Sequence, residues 1–270
     1  MASTSAWCST RFHQNRVSPV GLREGLSGRY PRIGVLYPCS GTRDADYWCL
    51  APPGSSVHIT RLPFESKATA AAISEMSSDE NLRRAAHLIA AVQPTVAAWA
   101  DTSGSFLFGP DGDRRQCELL EDITGAPATT TATALVEACA ALGVKEVDVA
   151  SPYLSELNAP MVEFLGAKGI SVGRLRSLEL GDSYAIASVP EDDQHALVRS
   201  ASHTAPAVLI PCTDFLTLGL IPRLEAELGK PLIAANVATM WHAVQLLGGY
   251  PSGVMAEMGQ LLRTRAEVTG

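Results

Sequence analysis

The chain has 270 residues, of which 46% are hydrophobic, a formal net charge of −7 and a sequence pI near 5.4. This length and composition predict a folded protein with a large core, and the absence of a basic stripe argues against a nucleic-acid binder. No apolar run approaches the roughly 20 residues of a membrane span, and the first residues lack the apolar stretch of a secretory signal. We therefore expect a cytoplasmic protein with neither nucleic acid nor membrane as a partner.

Neither the N-terminal segment nor the spacing of the cysteines predicts a specific structure. Residues 1–30 are rich in Ser, Gly and Arg without sustained periodicity, which predicts a loose extension. The six cysteines show neither C-x-x-C nor a Cys/His ligand spacing, and this argues against a zinc site and against a disulfide framework.

From Arg32 onward, short apolar runs alternate with helical spacings. Strands are predicted over 33–37, 95–100, 146–150, 170–175, 207–210 and 231–234, with a loop between the first strand and the first helix. Helices are predicted over 81–92, 115–124, 131–142, 155–167, 192–204 and 218–228, and a last one begins near Thr239. Such alternation is typical of an α/β fold with parallel sheets and right-handed crossovers.

Small polar residues follow two of the predicted strands, and the two strand ends are separated in the sequence by about the length of one lobe. Asp101 and Cys212 are separated by 111 residues, which predicts two pseudo-symmetric lobes, each a parallel sheet flanked by helices, with the active site in the cleft between them. The first lobe is predicted to comprise 31–127 plus 234–270, and the second 128–233. Ligands of open α/β sheets bind beyond the carboxyl ends of the strands, so both ends are candidate sites.

The residue types at these ends suit proton transfer beside a carboxylate. That reaction passes through an enediolate, whose negative charge needs preorganised donors, and Thr102, Ser103 and the backbone around Thr213 can supply them. We place Cys212 at a helix start, where a lowered pKa would let its thiol act as acid or base. Asp101 could be a second base on the opposite face, an acid of raised pKa, or a helix cap.

The motifs resemble the aspartate/glutamate racemase superfamily, and within it the maleate cis-trans isomerase and arylmalonate decarboxylase branch. The resemblance extends from about Arg32 to Gly249 and rests on four ordered stretches: Asp101-Thr102-Ser103-Gly104-Ser105-Phe106, Ser151-Pro152-Tyr153 with Glu156 and Asn158, Pro211-Cys212-Thr213, and Asn236 followed by Trp241-His242. It implies a small carboxylic acid as substrate and no cofactor or metal. Neither a monomer nor a homo-oligomer is excluded.

The resemblance also implies roles for individual residues. Thr102, Ser103 and Tyr153 would hold the substrate carboxylate, Thr213 would add a backbone donor, and Cys212 would donate the proton. Asn236 and Ser40 are carried over as further substrate contacts.

Two departures from the family pattern leave the reaction open. Asp101 stands where the family usually has a first cysteine, and Gly41 stands where an Asn commonly follows the first strand. Loss of the first cysteine weakens a maleate-type mechanism, whereas the decarboxylases use only the second. We predict an isomerase with Cys212 and Asp101 as its proton-transfer pair. The alternatives are a decarboxylase using Cys212 alone and a non-catalytic carboxylate-binding protein.

Overall fold

The structure is a computed structural model that describes residues 30–216, 218–250 and 255–264. The predicted loose extension, except for Tyr30, lies outside the described residues. Within these ranges, none of the helices has the length and apolar character that crossing a membrane requires.

The first sheet contains four parallel strands in the order β2-β1-β3-β4. Its strands are β1 (Arg32–Pro38), β2 (Ser56–Leu62), β3 (Val96–Trp99) and β4 (Ala128–Thr130). The helices of this part of the chain are α1 (Asp44–Leu50), α2 (Ala70–Met76), α3 (Asp79–Ala90), α4 (Thr102–Phe106), α5 (Gly109–Thr124) and α6 (Thr131–Ala141). The central strands β1 and β3 are almost fully buried, as expected for a parallel sheet covered on both faces.

The second sheet is also parallel and has the order β6-β5-β7-β8. Its strands are β5 (Glu146–Tyr153), β6 (Ser171–Leu180), β7 (Ala207–Ile210) and β8 (Leu232–Ala234). The helices here are α7 (Ser155–Ala167), α8 (Ser183–Ala187), α9 (Glu191–Ala201), α10 (Leu220–Leu228) and α11 (Ala235–Gln245), followed by 3₁₀ turns at Ala256–Met258 and Leu261–Arg263.

The two sheets repeat one strand order, which confirms the predicted α/β fold with two similar lobes. In the first sheet β1 lies between β2 and β3, and in the second sheet β5 lies between β6 and β7. The strand order therefore reverses between β1 and β3 and between β5 and β7. The carboxyl ends of strands at such a reversal form the crevice in which open α/β sheets bind ligands. The sequence-based boundary at residue 127 needs correction, because β4 pairs with β3 and extends the first sheet to Thr130.

The last helix, α11, connects the second sheet to the first lobe. It follows β8 directly and packs against α6, α1 and β3. Its Thr239 hydroxyl lies 2.8 Å from that of Thr131, and its His242 Nδ1 lies 2.7 Å from the Thr129 hydroxyl. The helix begins at Ala235, four residues before the predicted start.

Several short elements were not predicted. The segment expected to be a loop contains α1, the edge strand β2 and α2. In β2 only Val57 and Leu62 are buried, so the strand lacks the continuous apolar run on which the prediction of buried strands depends. The three-residue β4 and the five-residue α4 and α8 are too short to show a periodicity.

Candidate active site

The first candidate turn links β3 to α4. Asp101 lies two residues beyond the end of β3 and caps α4, accepting from the Gly104 backbone N–H at 2.5 Å and from the Ser103 hydroxyl at 3.0 Å, both on Oδ1. Position 104 must be glycine, because a Cβ there would lie 2.3 Å from Ser77 Oγ. The turn therefore holds the Asp101 carboxyl in one orientation.

Burial controls the ionisation of Asp101. Loss of hydration raises the pKa of this carboxyl to about 6, although the hydrogen bonds from Gly104 and Ser103 favour the charged form and oppose the shift. The charge of Asp214 adds a smaller upward effect. A carboxylate with a pKa of about 6 is ionised at neutral pH and is still basic enough to accept a proton.

The second candidate turn follows β7 and differs from the prediction. Cys212 lies two residues beyond the end of β7, but Thr213, Asp214 and Phe215 form a turn, and the next described helix begins only at Leu220. The prediction that Cys212 begins a helix is therefore wrong. The thiol instead accepts the Asp214 backbone N–H, with a distance of 3.4 Å from N to Sγ.

The surroundings of Cys212 favour the neutral thiol. Burial raises its pKa well above the usual 9.0, and the nearby Asp214 charge raises it further. The Asp214 N–H and the Tyr153 phenol favour the thiolate but do not offset the loss of hydration. Contrary to the expectation of a lowered pKa, the Cys212 thiol has a raised pKa and is protonated at neutral pH.

Asp214 is a site residue to which the sequence analysis gave no role. Its carboxyl Oδ1 accepts from the Tyr37 hydroxyl at 2.8 Å and from the Thr42 backbone N–H at 2.9 Å. Both donors belong to the first lobe, so this carboxyl ties the cysteine turn to the end of β1. Burial raises its pKa as well. Its place directly after Cys212-Thr213 was a usable signal.

Asn236 links the lobes through protein contacts. Its Nδ2 donates to Asp46 Oδ2 at 2.9 Å and to the Thr213 carbonyl at 2.8 Å, and its Oδ1 accepts from the Tyr47 hydroxyl at 3.0 Å. Both amide hydrogens are thus engaged. The geometry shows a residue that positions the cysteine turn, and its predicted contact with substrate stays a prediction.

Tyr153 ends β5 and faces the cysteine turn. Its hydroxyl donates to the Pro211 carbonyl at 3.2 Å, its ring packs against Phe106 with centroids 6.4 Å apart, and burial raises its pKa well above 10.0. It is a neutral phenol whose hydroxyl also interacts with Cys212 and Thr102.

One cavity brings most of the predicted residues together. Five of them line it: Asp101, Ser103, Tyr153, Cys212 and Thr213. The unpredicted lining residues are Phe64, Ala68, Ile73, Ser183, Ile186 and Asp214. Most of the apolar members come from the segment expected to be a loop, where no periodicity marked them. The site therefore has a polar side formed by the two turns and an apolar wall contributed by both lobes.

The other predicted residues lie outside this lining. Thr102 lines an adjacent apolar cavity, and its buried hydroxyl lies beside the Tyr153 phenol, whose charged form it favours. The Ser40 hydroxyl is buried and unpartnered within the described chain. Asn236 lies behind Thr213, which it contacts.

Two parallel-sheet lobes of the same strand order, with a cysteine turn after the third strand of the second lobe, place this chain in the aspartate/glutamate racemase-like superfamily. A protein-family model described as arylmalonate decarboxylase matches residues 52–262, and the chain belongs to this family. The resemblance found in the motifs is thereby confirmed.

Known relatives include both decarboxylases and isomerases. Arylmalonate decarboxylase of Bordetella bronchiseptica is 32% identical over 157 residues, which cover 57% of this chain and 65% of the relative. Maleate isomerase of Nocardia farcinica is 28% identical over 250 residues, or 88% of this chain and 98% of the relative.

Solved structures agree with this placement. A maleate isomerase variant from Pseudomonas putida with maleate has a TM-score of 0.80 at 26% identity and covers 87% of this chain and 98% of that one. A liganded mutant of arylmalonate decarboxylase has a TM-score of 0.76, also at 26% identity, and covers 86% and 98%.

Proposed function

We propose that this protein is a cofactor-independent isomerase that moves a proton on the carbon beside the carboxylate of a small acid, with Asp101 as base and Cys212 as acid. The observation that carries the proposal is that Asp101 and Cys212 line the same cavity but differ in protonation state at neutral pH. Asp101, with a pKa of about 6, is ionised at neutral pH, whereas the Cys212 thiol keeps its proton. Such a pair provides one acceptor and one donor.

The proposed reaction has two proton transfers. The Asp101 carboxylate takes the α-proton, and the electron pair of the broken C–H bond moves into the carboxylate to give an enediolate. The thiol then protonates the opposite face, which leaves the inverted acid, a neutral Asp101 and a Cys212 thiolate. Exchange of both protons with water, or the reverse reaction on another molecule of the opposite configuration, restores the starting protonation states.

The enediolate needs donors that strengthen as its charge develops. Ser103 is on the cavity wall with its hydroxyl turned to Asp101, and the Thr102 hydroxyl, from the adjacent cavity, lies beside the Tyr153 phenol. Tyr153 adds a phenol next to Cys212. These groups support the proposal that the two turns hold the substrate carboxylate.

A decarboxylase is the second candidate, and the family match over residues 52–262 favours it. In that reaction, loss of CO₂ rather than removal of a proton produces the enediolate. Cys212 alone protonates it, and Asp101 serves only as the cap of α4.

The test is NMR of candidate acids in D₂O with the purified protein. Exchange of the α-proton with inversion supports the isomerase, CO₂ release supports the decarboxylase, and tight binding with neither supports a carboxylate-binding protein. Cys212→Ala should reduce turnover roughly 10²–10⁴-fold, the usual contribution of a positioned acid or base. Cys139→Ala, at a buried thiol in α6, is the matched control. Full turnover by Cys212→Ala would exclude Cys212 from the mechanism.

A further inference from the structure

The cavity beside Cys212 is lined by two carboxyl groups and, among the described residues, by no cationic side chain. Asp101 and Asp214 both line it, and its described lining residues include no Lys, Arg or His. A substrate carboxylate must therefore bind through hydroxyl and backbone donors and not through an ion pair.

Asp214 is rigidly held with its carboxyl at this wall. It is 7% exposed, and both the Tyr37 hydroxyl and the Thr42 N–H donate to its Oδ1. Its own N–H donates to Cys212 Sγ. A carboxyl anchored in this way at both its side chain and its backbone cannot turn away from a bound anion, as a surface acid could.

Two guanidinium groups, those of Arg43 and Arg61, favour the charged form of Asp214 from outside the cavity lining. Arg43 Nε donates to the Asp214 backbone carbonyl at 3.4 Å. Arg61 forms a two-pronged ion pair with Asp44, at 2.6 Å to each oxygen, and donates from Nη1 to the Pro38 and Gly41 carbonyls. Neither lines the cavity, so neither is placed to bind a second substrate carboxylate.

We propose that Asp214, together with Asp101, makes this site selective for acids with a single carboxylate and excludes dicarboxylates. This inference rests on the proposed function and narrows its substrate class. A second carboxylate would lie beside two fixed like charges in a poorly hydrated space, where repulsion is strong. The other α-substituent would then be neutral and pack on the apolar wall of Phe64, Ile73 and Ile186. By this criterion the chain differs from the isomerase solved with maleate, which is a dicarboxylate.

The experiment compares the affinities of matched acids by calorimetry at about pH 8, where ordinary carboxylic acids are fully ionised. The pairs are phenylacetate with phenylmalonate, and butyrate with ethylmalonate. We expect wild-type protein to bind each monocarboxylate at least about tenfold more tightly than its partner, an effect of about 1.4 kcal/mol. Asp214→Asn should cut this ratio about tenfold, because Asn accepts the same hydrogen bonds at Oδ1 but carries no charge.

Two further variants keep the test decisive. Asp101→Asn removes the other charge and should reduce the ratio even if Asp214→Asn fails to fold, as judged by circular dichroism. Asp44→Asn removes a nearby carboxylate that pairs with Arg61 outside the cavity and should leave the ratio unchanged.

The proposal is overturned if wild-type protein binds the dicarboxylates as tightly as their partners, or binds none of the monocarboxylates up to their solubility limits. An equal effect of all three variants on the ratio would also contradict it. These outcomes are distinct from failure of the proposed function, because proton exchange in D₂O measures turnover and calorimetry measures affinity. Release of CO₂ from phenylmalonate or ethylmalonate would overturn the inference and support the decarboxylase.

Discussion

The two turns occupy equivalent positions in the two lobes and yet favour opposite protonation states. Each places its key residue two positions beyond a central strand, Asp101 after β3 and Cys212 after β7. In the first turn a helix begins at once, and the carboxylate receives two hydrogen bonds. In the second no helix follows directly, and a buried Asp214 stands beside the thiol.

This difference shows how two similar lobes can form a site with two distinct functions. In both turns burial favours the neutral form. In the first turn two hydrogen bonds oppose this effect, whereas in the second turn the Asp214 charge adds to burial and the thiol keeps its proton. Position in the fold brings both residues to the cavity, and residue type, burial, neighbouring charges and hydrogen bonds together set their protonation states.

The largest expected effect comes from replacing Asp101, the proposed base, in the first turn. Asp101→Asn should lower the rate of α-proton exchange by roughly 10²–10⁴-fold, because Asn caps a helix about as well as Asp but cannot accept the proton. The rate is measured by NMR in D₂O on an acid that wild-type protein turns over. Unchanged exchange would reduce Asp101 to a helix cap and favour the decarboxylase.

The pH profile provides a finer test of the same difference. Since Asp101 must be ionised to act as base, kcat/KM should fall about tenfold per pH unit below its pKa of about 6. Burial also raises the pKa of Asp46 to about 6, so that group is the control. The fall of kcat/KM at low pH should persist in Asp46→Asn and be absent from the residual activity of Asp101→Asn. The reverse result would assign this fall to Asp46. Because the thiol pKa is raised, we expect no loss from ionisation of Cys212 below about pH 9.

The sequence predicted the parts of the fold that depend on buried apolar runs. Strands β1, β3 and β7 were found for this reason, and their ends located Asp101 and Cys212. Strand β2 was missed because it is a half-exposed edge with His58 and Thr60 among its residues, and β4 because it has only three residues.

The electrostatics of the site could not be predicted from spacing. The Tyr37 hydroxyl that holds Asp214 lies 177 positions away in the chain, so only the folded structure brings them together. The thiol was expected to have a lowered pKa because a helix was expected to begin at Cys212. The ionisation of buried groups depends on hydration and on neighbours from both lobes, which no local pattern records.

The smallest expected effect is on stability, and it compares two capping aspartates. Asp101 and Asp182 each cap a five-residue helix, but burial raises the pKa of Asp101 from 3.8 to about 6, whereas hydrogen bonds from Ser66 and Ala185 lower that of Asp182. The folded state therefore holds the Asp101 proton more tightly than the unfolded state, and this contribution to stability is lost as pH rises from 3.8 to about 6.

Replacement by Asn should accordingly act in opposite directions at the two caps. At about pH 7.5, Asp101→Asn should raise Tm by roughly 2–4 °C, the shift expected for about 1 kcal/mol in a chain of this size, and the gain should disappear near pH 3.5. Asp182→Asn should lower Tm slightly at about pH 7.5, because its ionised form is favoured by folding, and this loss should also fade in acid. Thermal melts followed by circular dichroism measure both. A lower Tm for Asp101→Asn at neutral pH would mean that its hydrogen bonds outweigh its burial, and the first turn would then hold a strong acid unsuited to act as a base.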